Sequence, residues 1–360
     1  MQEFECTSQV YIFGAQSRAK TLKGYLQFLF PQTNVLSFLV DDTNGNETSI
    51  DGIPVQTLAS AEKLDSSCKI FIATKGMYHP EITERLHKKG LNRIVPVTFE
   101  VDNLFRNAYV NKYYKQKQLN FIKLKELSVQ RPSAVIYTAK SIYDRPLNTK
   151  YIYQPYERAI QVGAALTSQR ISSDILTDCE GENISVKNRQ YCELTAMYWI
   201  WKNAREEIVG LTHYRRHFIL SENWQDIMIT NDIDVILPVP TVAFPNIEVN
   251  YKERHDPDDW GYLMSYLEAK YPKDYNVAVQ LFSESLYYPC NMFIMRRQIL
   301  DDLCKWMFPI LDAVVAHGGR KEDSYWNRYP GFLSERLITL YFHKNRYHYK
   351  IVFADKNFIC

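Results

Sequence analysis

Nothing in the 360 residues approaches the roughly 20 consecutive apolar positions that a membrane-spanning helix needs. The opening segment, MQEFECTSQVYIF, starts acidic and lacks the basic-then-apolar order of a signal peptide. The seven cysteines are odd in number and include no CxxC pair, which argues against a disulfide framework or a structural zinc site. An excess of either charge is missing too. Lys plus Arg is 43 and Asp plus Glu is 41, a net charge of +2, so the chain carries no global footprint for nucleic acid. These absences predict a cytoplasmic chain with reduced thiols and no nucleic-acid partner. What is present is a globular composition, 46% hydrophobic and 23% charged, which excludes a disordered chain. At about 100–200 residues per domain the length predicts two domains. Tyrosine is abundant at 26 residues. Its flat face and polar tip suit sugar rings and nucleobases, although core edges also take tyrosine.

Along residues 1–100, β-rich runs at 9–14, 35–40, 69–73 and 93–97 alternate with helical stretches at 17–30 and 79–89. Such alternation implies a parallel sheet and a small Rossmann-like unit. Residues 101–132 are polar, helical in tendency and closed by Pro132, and read as a connector. Residues 133–360 read as a mixed α/β domain. Within it, strands are expected at 134–138, 210–212, 234–237 and 291–295, and helices at 189–203, 299–315 and 333–343. Leu194, Met197, Tyr198 and Trp201 share one face of the helix over 189–203.

Five places could carry chemistry. The turn after the first strand holds Gly14, but a dinucleotide fingerprint wants three glycines; Asp41 or Asp42 stands where a ribose-binding acid would be. In His213-Tyr214-Arg215-Arg216-His217, strand alternation would point His213, Arg215 and His217 the same way, and two adjacent arginines suit a diphosphate. A surface salt-bridge cluster is one alternative; a zinc pair from His213 and His217 is a lesser one, since no third ligand stands nearby. Asp232-Ile233-Asp234 looks like a DxD metal motif, or only a strand boundary. His255-Asp256-Pro257-Asp258-Asp259 offers a base or a hydroxyl binder, or a turn that caps the next helix. Glu335 follows Ser334, which would cap a helix beginning there; the glutamate then serves the helix dipole or acts as a catalytic base.

The segments Asn183–Ala196, Tyr198–Asn203 and Gly210–Arg216, with Asp234–Pro238, Asn291–Met295 and Gly331–Leu337, resemble domain-of-unknown-function family 4422 over about residues 134–345. That family occurs among bacterial capsule and lipopolysaccharide gene products and is treated as glycosyltransferases. The resemblance implies a GT-A-like mixed-sheet α/β domain, here preceded by a Rossmann-like parallel α/β domain. It also implies a nucleotide-sugar donor, with UDP-galactofuranose as the leading candidate, and a glycan or lipid-linked glycan acceptor reached at the inner face of a membrane. In this reading Thr138, Gly163, Asn188, Glu193, His213, Tyr214, Arg215 and Arg216 bind donor, and His255, Asn291 and Arg336 bind acceptor. Glu335 is the base of an inverting transfer, with Asp256 and Asp258 in reserve. Two arginines stand where GT-A relatives carry DxD, so no metal is expected. Asp232 and Asp234 are reserve ligands for Mn or Mg. The competing readings are a non-catalytic nucleotide-sugar sensor and an NAD-dependent oxidoreductase.

Overall fold

The computed structural model describes residues 9–61, 64–127, 133–149 and 151–359. Pro132, the expected end of the connector, and the opening residues up to Ser8 lie outside that set. The chain divides into two compact units: residues 1–120 with 242–245, and residues 121–241 with 246–360.

In the first unit the elements run β1 (Gln9–Phe13), α1 (Ser17–Leu29), β2 (Asn34–Val40), β3 (Ser49–Ile50), β4 (Ile53–Thr57), β5 (Lys69–Ile72), α2 (His79–Lys88), β6 (Ile94–Pro96) and α3 (Phe99–Gln116). The sheet order is β3-β4-β2-β1-β5-β6, parallel except for the edge strand β3. Val10 and Ile12 are fully buried on one face of β1, and Tyr11 and Phe13 on the other, because helices cover both faces of a parallel sheet. Tyr11, Phe13, Ile70 and Ile72 pack with Ile82 and Leu86 of α2. On the opposite face Phe105 of α3 stacks on Tyr25 of α1 at 6.2 Å and meets Phe71 of β5 edge-on at 6.0 Å. Residues 101–116 are therefore not a connector. Their apolar positions, Phe105, Tyr109 and Val110, are buried as the last helix of this unit.

The first unit offers little to a dinucleotide. Gly14 has φ +117°, and a Cβ there would come within 3.0 Å of the Ala73 carbonyl, so this glycine serves chain packing. Arg18 donates to the Thr74 carbonyl at 3.1 Å, and Gln16 to Asn46 at 2.8 Å. Asp41 is gripped by both terminal nitrogens of Arg85, at 2.5 and 3.0 Å, while Asp42 ties down the Asn44 turn. Both carboxylates are exposed, but each already has hydrogen-bond partners within the unit.

The chain continues, in the second unit except for Val242, with β7 (Ala134–Lys140), β8 (Glu157–Gln161), β9 (Leu176–Thr177), α4 (Asn188–Tyr191), α5 (Leu194–Asn203), β10 (Ile208–His213), α6 (Trp224–Thr230), β11 (Val235–Pro238), β12 (Thr241–Val242), α7 (Ile247–Lys252), α8 (Pro257–Lys270), α9 (Pro272–Phe282), β13 (Leu286–Tyr287), β14 (Phe293–Arg296), α10 (Arg297–Gly318), α11 (Tyr329–Lys344) and β15 (Ile351–Ala354). Its seven-stranded sheet has the order β15-β11-β14-β10-β7-β8-β9. Only β14 runs against the rest. Ile136, Ile208, Ile236 and Ile294 meet Trp224 and Met228 of α6 on one face. On the other, Tyr137 packs edge-on against Trp199 of α5 at 5.8 Å. The chain order reverses between β7 and β10, so their carboxyl ends open the crevice where α/β sheets bind ligands.

The helix expected over 189–203 is two pieces. Cys192 sits at φ +48°, and Asn188 Nδ2 donates to its carbonyl at 2.8 Å and to Thr195 Oγ1 at 3.1 Å. A break that the apolar spacing conceals is thus stabilised by a side chain.

Candidate active site

Strand β10 ends at His213 and turns at once. The backbone N–H of His213 donates to the Arg216 carbonyl at 3.1 Å, and the Arg216 N–H donates back at 3.0 Å. Alternation therefore stops, and His213, Arg215 and His217 do not point together. His217 is fully buried; its Nδ1 lies 2.8 Å from Glu157 Oε1, and its ring stacks on Tyr151 at 3.6 Å. Glu157 also accepts from the Tyr151 hydroxyl at 2.8 Å and the Gln154 N–H at 2.9 Å. His217 is a buttress for the tyrosines beside it.

Those tyrosines line a cavity of about 1100 Å³ at the carboxyl end of β7. Lys140, Arg145 and Arg170 supply positive charge, and Tyr151, Tyr153 and Tyr214 supply ring faces. Asp144 accepts the Ser141 N–H at 2.7 Å. Burial pushes its carboxyl up to about 6, against the pull of Lys140 and Arg215. The Arg215 guanidinium lies 5.1 Å from the Tyr214 ring and 5.2 Å from that of Phe358, and its Nε is buried without a partner. None of the cavity residues except Tyr214 stood out in the sequence. The available signal was Lys140, just past the strand expected at 134–138.

Two carboxylates and an imidazole converge at the start of β14. Cys290 and Asn291 both have positive φ, +72° and +50°, a conformation that costs a non-glycine residue about 1–2 kcal/mol. Side chains hold this turn on every side. Glu335 Oε1 accepts the Cys290 N–H at 2.5 Å, and His213 Nε2 lies 2.5 Å from the Cys290 carbonyl. Asn291 Nδ2 donates to Glu193 Oε1 at 2.9 Å and to the Gly331 carbonyl at 3.0 Å, and Ser334 donates to Asn291 Oδ1 at 2.7 Å. His213 Nε2 is 3.9 Å from Glu193. Burial lowers the His213 pKa, against the nearby Glu193 charge. The imidazole is then neutral, and its bond to a carbonyl puts the proton on Nε2. Burial likewise raises Glu335, opposed by Arg336, which donates to Oε2 at 2.7 Å, and by the more distant Arg216.

Several expected site residues turn out to hold the fold. Thr138 is fully buried, its hydroxyl 3.0 Å from that of Thr212 across β7 and β10. Gly163 at φ +67° donates to Asp178, and a Cβ there would lie 2.6 Å from Asn188. Asp178 is a buried hub that no local pattern in the chain singles out. It accepts from Gly163, Ala164, Ser185 and Thr195. Asn291 and Arg336 are buried at 2% exposure, so they position Glu193 and Glu335 and leave no face for an acceptor. Helix α11 begins at Tyr329, which places Glu335 in its second turn; Ser334 bonds Asn291 and Gly331 and caps nothing.

The His255 cluster is also structural. The His255 ring is buried against Phe332 at 4.1 Å. Asp256 caps α8 through the Asp258 N–H and pairs with Lys321 at 2.6 Å, and Asp258 lies in the exposed first turn. Asp232 and Asp234 precede β11. Because β11 runs parallel to β10, they sit at the edge of the sheet opposite His213. Asp234 is occupied by Arg296 at 3.2 Å and the Lys350 N–H at 2.9 Å. The pair does not fit a metal at the crevice.

The chain has an α/β, glycosyltransferase-like fold. Among solved structures, the apo structure of WbbM, a bifunctional glycosyltransferase, matches this chain at 27% identity with a TM-score of 0.54, over 63% of this chain and 45% of that one. This chain thus aligns to less than half the length of that neighbour. Residues 146–346 match the family described as Domain of unknown function (DUF4422), and the chain belongs to that family. No curated protein matches.

Proposed function

We propose that the protein transfers a sugar from a nucleotide-sugar donor to a glycan acceptor, with inversion at the anomeric carbon. One observation carries this reading. A basic, tyrosine-lined cavity at the β7/β10 switch point shares the turn 213–216 with the cluster of Glu193, His213 and Glu335. The donor nucleotide occupies the cavity. Arg215 and Arg216 meet the diphosphate and offset the charge that develops as it leaves, the work a cation would otherwise do. Glu335 takes the proton from the acceptor hydroxyl. The oxygen bonds the anomeric carbon, and the bond from that carbon to the diphosphate breaks. Neutral His213 and Asn291 keep the two carboxylates apart and aimed. The family resemblance supports UDP-galactofuranose as donor, a GT-A-like domain, and an acceptor belonging to bacterial capsule or O-antigen, built at the cytoplasmic face of the membrane.

The test is a screen of UDP-, GDP- and dTDP-sugars for donor turnover, followed by NMR of the product linkage. Inverted product from UDP-galactofuranose is expected. Retained configuration rejects the single-base mechanism, and tight UDP binding with no turnover for any donor or acceptor favours a sensor.

A further inference from the structure

We propose that Tyr325, Trp326 and Phe332 form the subsite that receives a sugar ring of the acceptor, an inference that rests on the transferase reading above. Trp326 is 45% exposed and Tyr325 48%, whereas Trp199, Trp224 and Trp260 are buried. Leaving two large rings in water on a polar loop costs hydrophobic free energy unless something covers them. The loop backbone that carries them is held in place. Asp323 Oδ1 accepts the N–H groups of Tyr325 and Trp326 at 2.9 and 2.8 Å. Asn327 braces the loop from both sides, accepting from the Lys321 N–H at 3.0 Å and donating to the Arg189 carbonyl at 3.1 Å. A surface fixed in advance loses little entropy when it binds.

The platform leads into the site. Tyr325 packs on Phe332 at 5.1 Å, and Phe332 stacks on His255 at 4.1 Å. The Arg328 guanidinium lies 5.8 Å from the Phe332 ring centre and donates to Cys192 Sγ at 3.0 Å, within electrostatic reach of Tyr325 and Glu193. Glu335 follows Phe332 by three residues on α11, about 4.5 Å along the helix and on a neighbouring face. The platform and the base are thus less than one helical turn apart. Exposed charged residues precede the rings on the same loop: Arg320, Glu322 and Asp323. Apolar faces on a charged loop suit a pyranose or furanose, whose C–H face lies on the aromatics while its hydroxyls meet charge.

The experiment uses saturation-transfer NMR on the full chain with methyl glycosides of galactose, glucose, mannose and N-acetylglucosamine, beside calorimetry with UDP. At least one glycoside should bind. Its affinity should fall about tenfold or more in Trp326→Ala and Tyr325→Ala, return in Trp326→Phe, and leave UDP affinity unchanged. Equal glycoside binding by Trp326→Ala, or UDP binding with no glycoside bound, overturns the subsite and leaves the transferase reading standing. Failure of UDP to bind counts against both.

Discussion

Glu335 and Cys290 are joined side chain to backbone: the carboxylate takes the Cys290 N–H at 2.5 Å and so stabilises a residue at φ +72°. The next residue, Asn291, carries Glu193 on its amide. Both carboxylates of the site therefore hang from one left-handed turn, and moving either disturbs the other.

Glu335→Gln keeps an oxygen for the Cys290 N–H but removes the base. Turnover should fall about 10²–10⁴-fold with UDP affinity nearly intact. Glu335→Ala strands the N–H as well and should cost about 1–3 kcal/mol in denaturant unfolding. Full turnover in the glutamine variant would place the base elsewhere, with Glu193 the nearest carboxylate.

Replacing Arg215 or Arg216 with Ala should weaken UDP binding about tenfold or more by calorimetry, since a charge-assisted bond contributes about 1.5–3 kcal/mol. Unchanged affinity in both variants would remove the 213–216 turn from the donor site.

Turnover should survive EDTA. Asp234→Asn should leave turnover alone while lowering stability by about 1 kcal/mol, through the weakened tie to Arg296 and Lys350. Activity lost to EDTA and restored by manganese would mean that a cation serves the site through other residues.

Acid should destabilise the chain through His255. Burial, with Arg336 close by, pushes its pKa down to about 3, so the folded imidazole stays neutral where the unfolded one, near 6.5, takes a proton. Between these values the unfolded state binds more protons, and stability falls as pH drops from about 6.5 to about 3. His343, lowered to about 4 by its own burial, adds to the slope over the upper part of the range. His255→Phe should flatten the unfolding midpoint across that window. An unchanged slope would mean that His255 gains a proton without unfolding.

Local pattern alone determined much of this molecule. Alternating strands and helices over residues 1–100 announced a parallel sheet, since a strand buried on both faces reads as an unbroken apolar run. The adjacent arginines and Glu335 stood out because their chemistry belongs to the residue itself, whereas Glu193 entered only through the family resemblance, as a donor binder. Tertiary structure decided the rest. The 101–132 stretch looked like a connector because its polar residues dominate the count, yet Phe105 and Val110 suffice to bury one face of its first half, 101–116. The DxD pair looked like a ligand set until strand direction put it at the far edge. His213 reaches across 77 residues to Cys290, Asn291 across 98 to Glu193, and Cys290 across 45 to Glu335. Periodicity reports only which way a side chain faces within its own element. Which elements end at the same edge of the sheet, and so which side chains share a proton or a phosphate, is settled only when the strands pair.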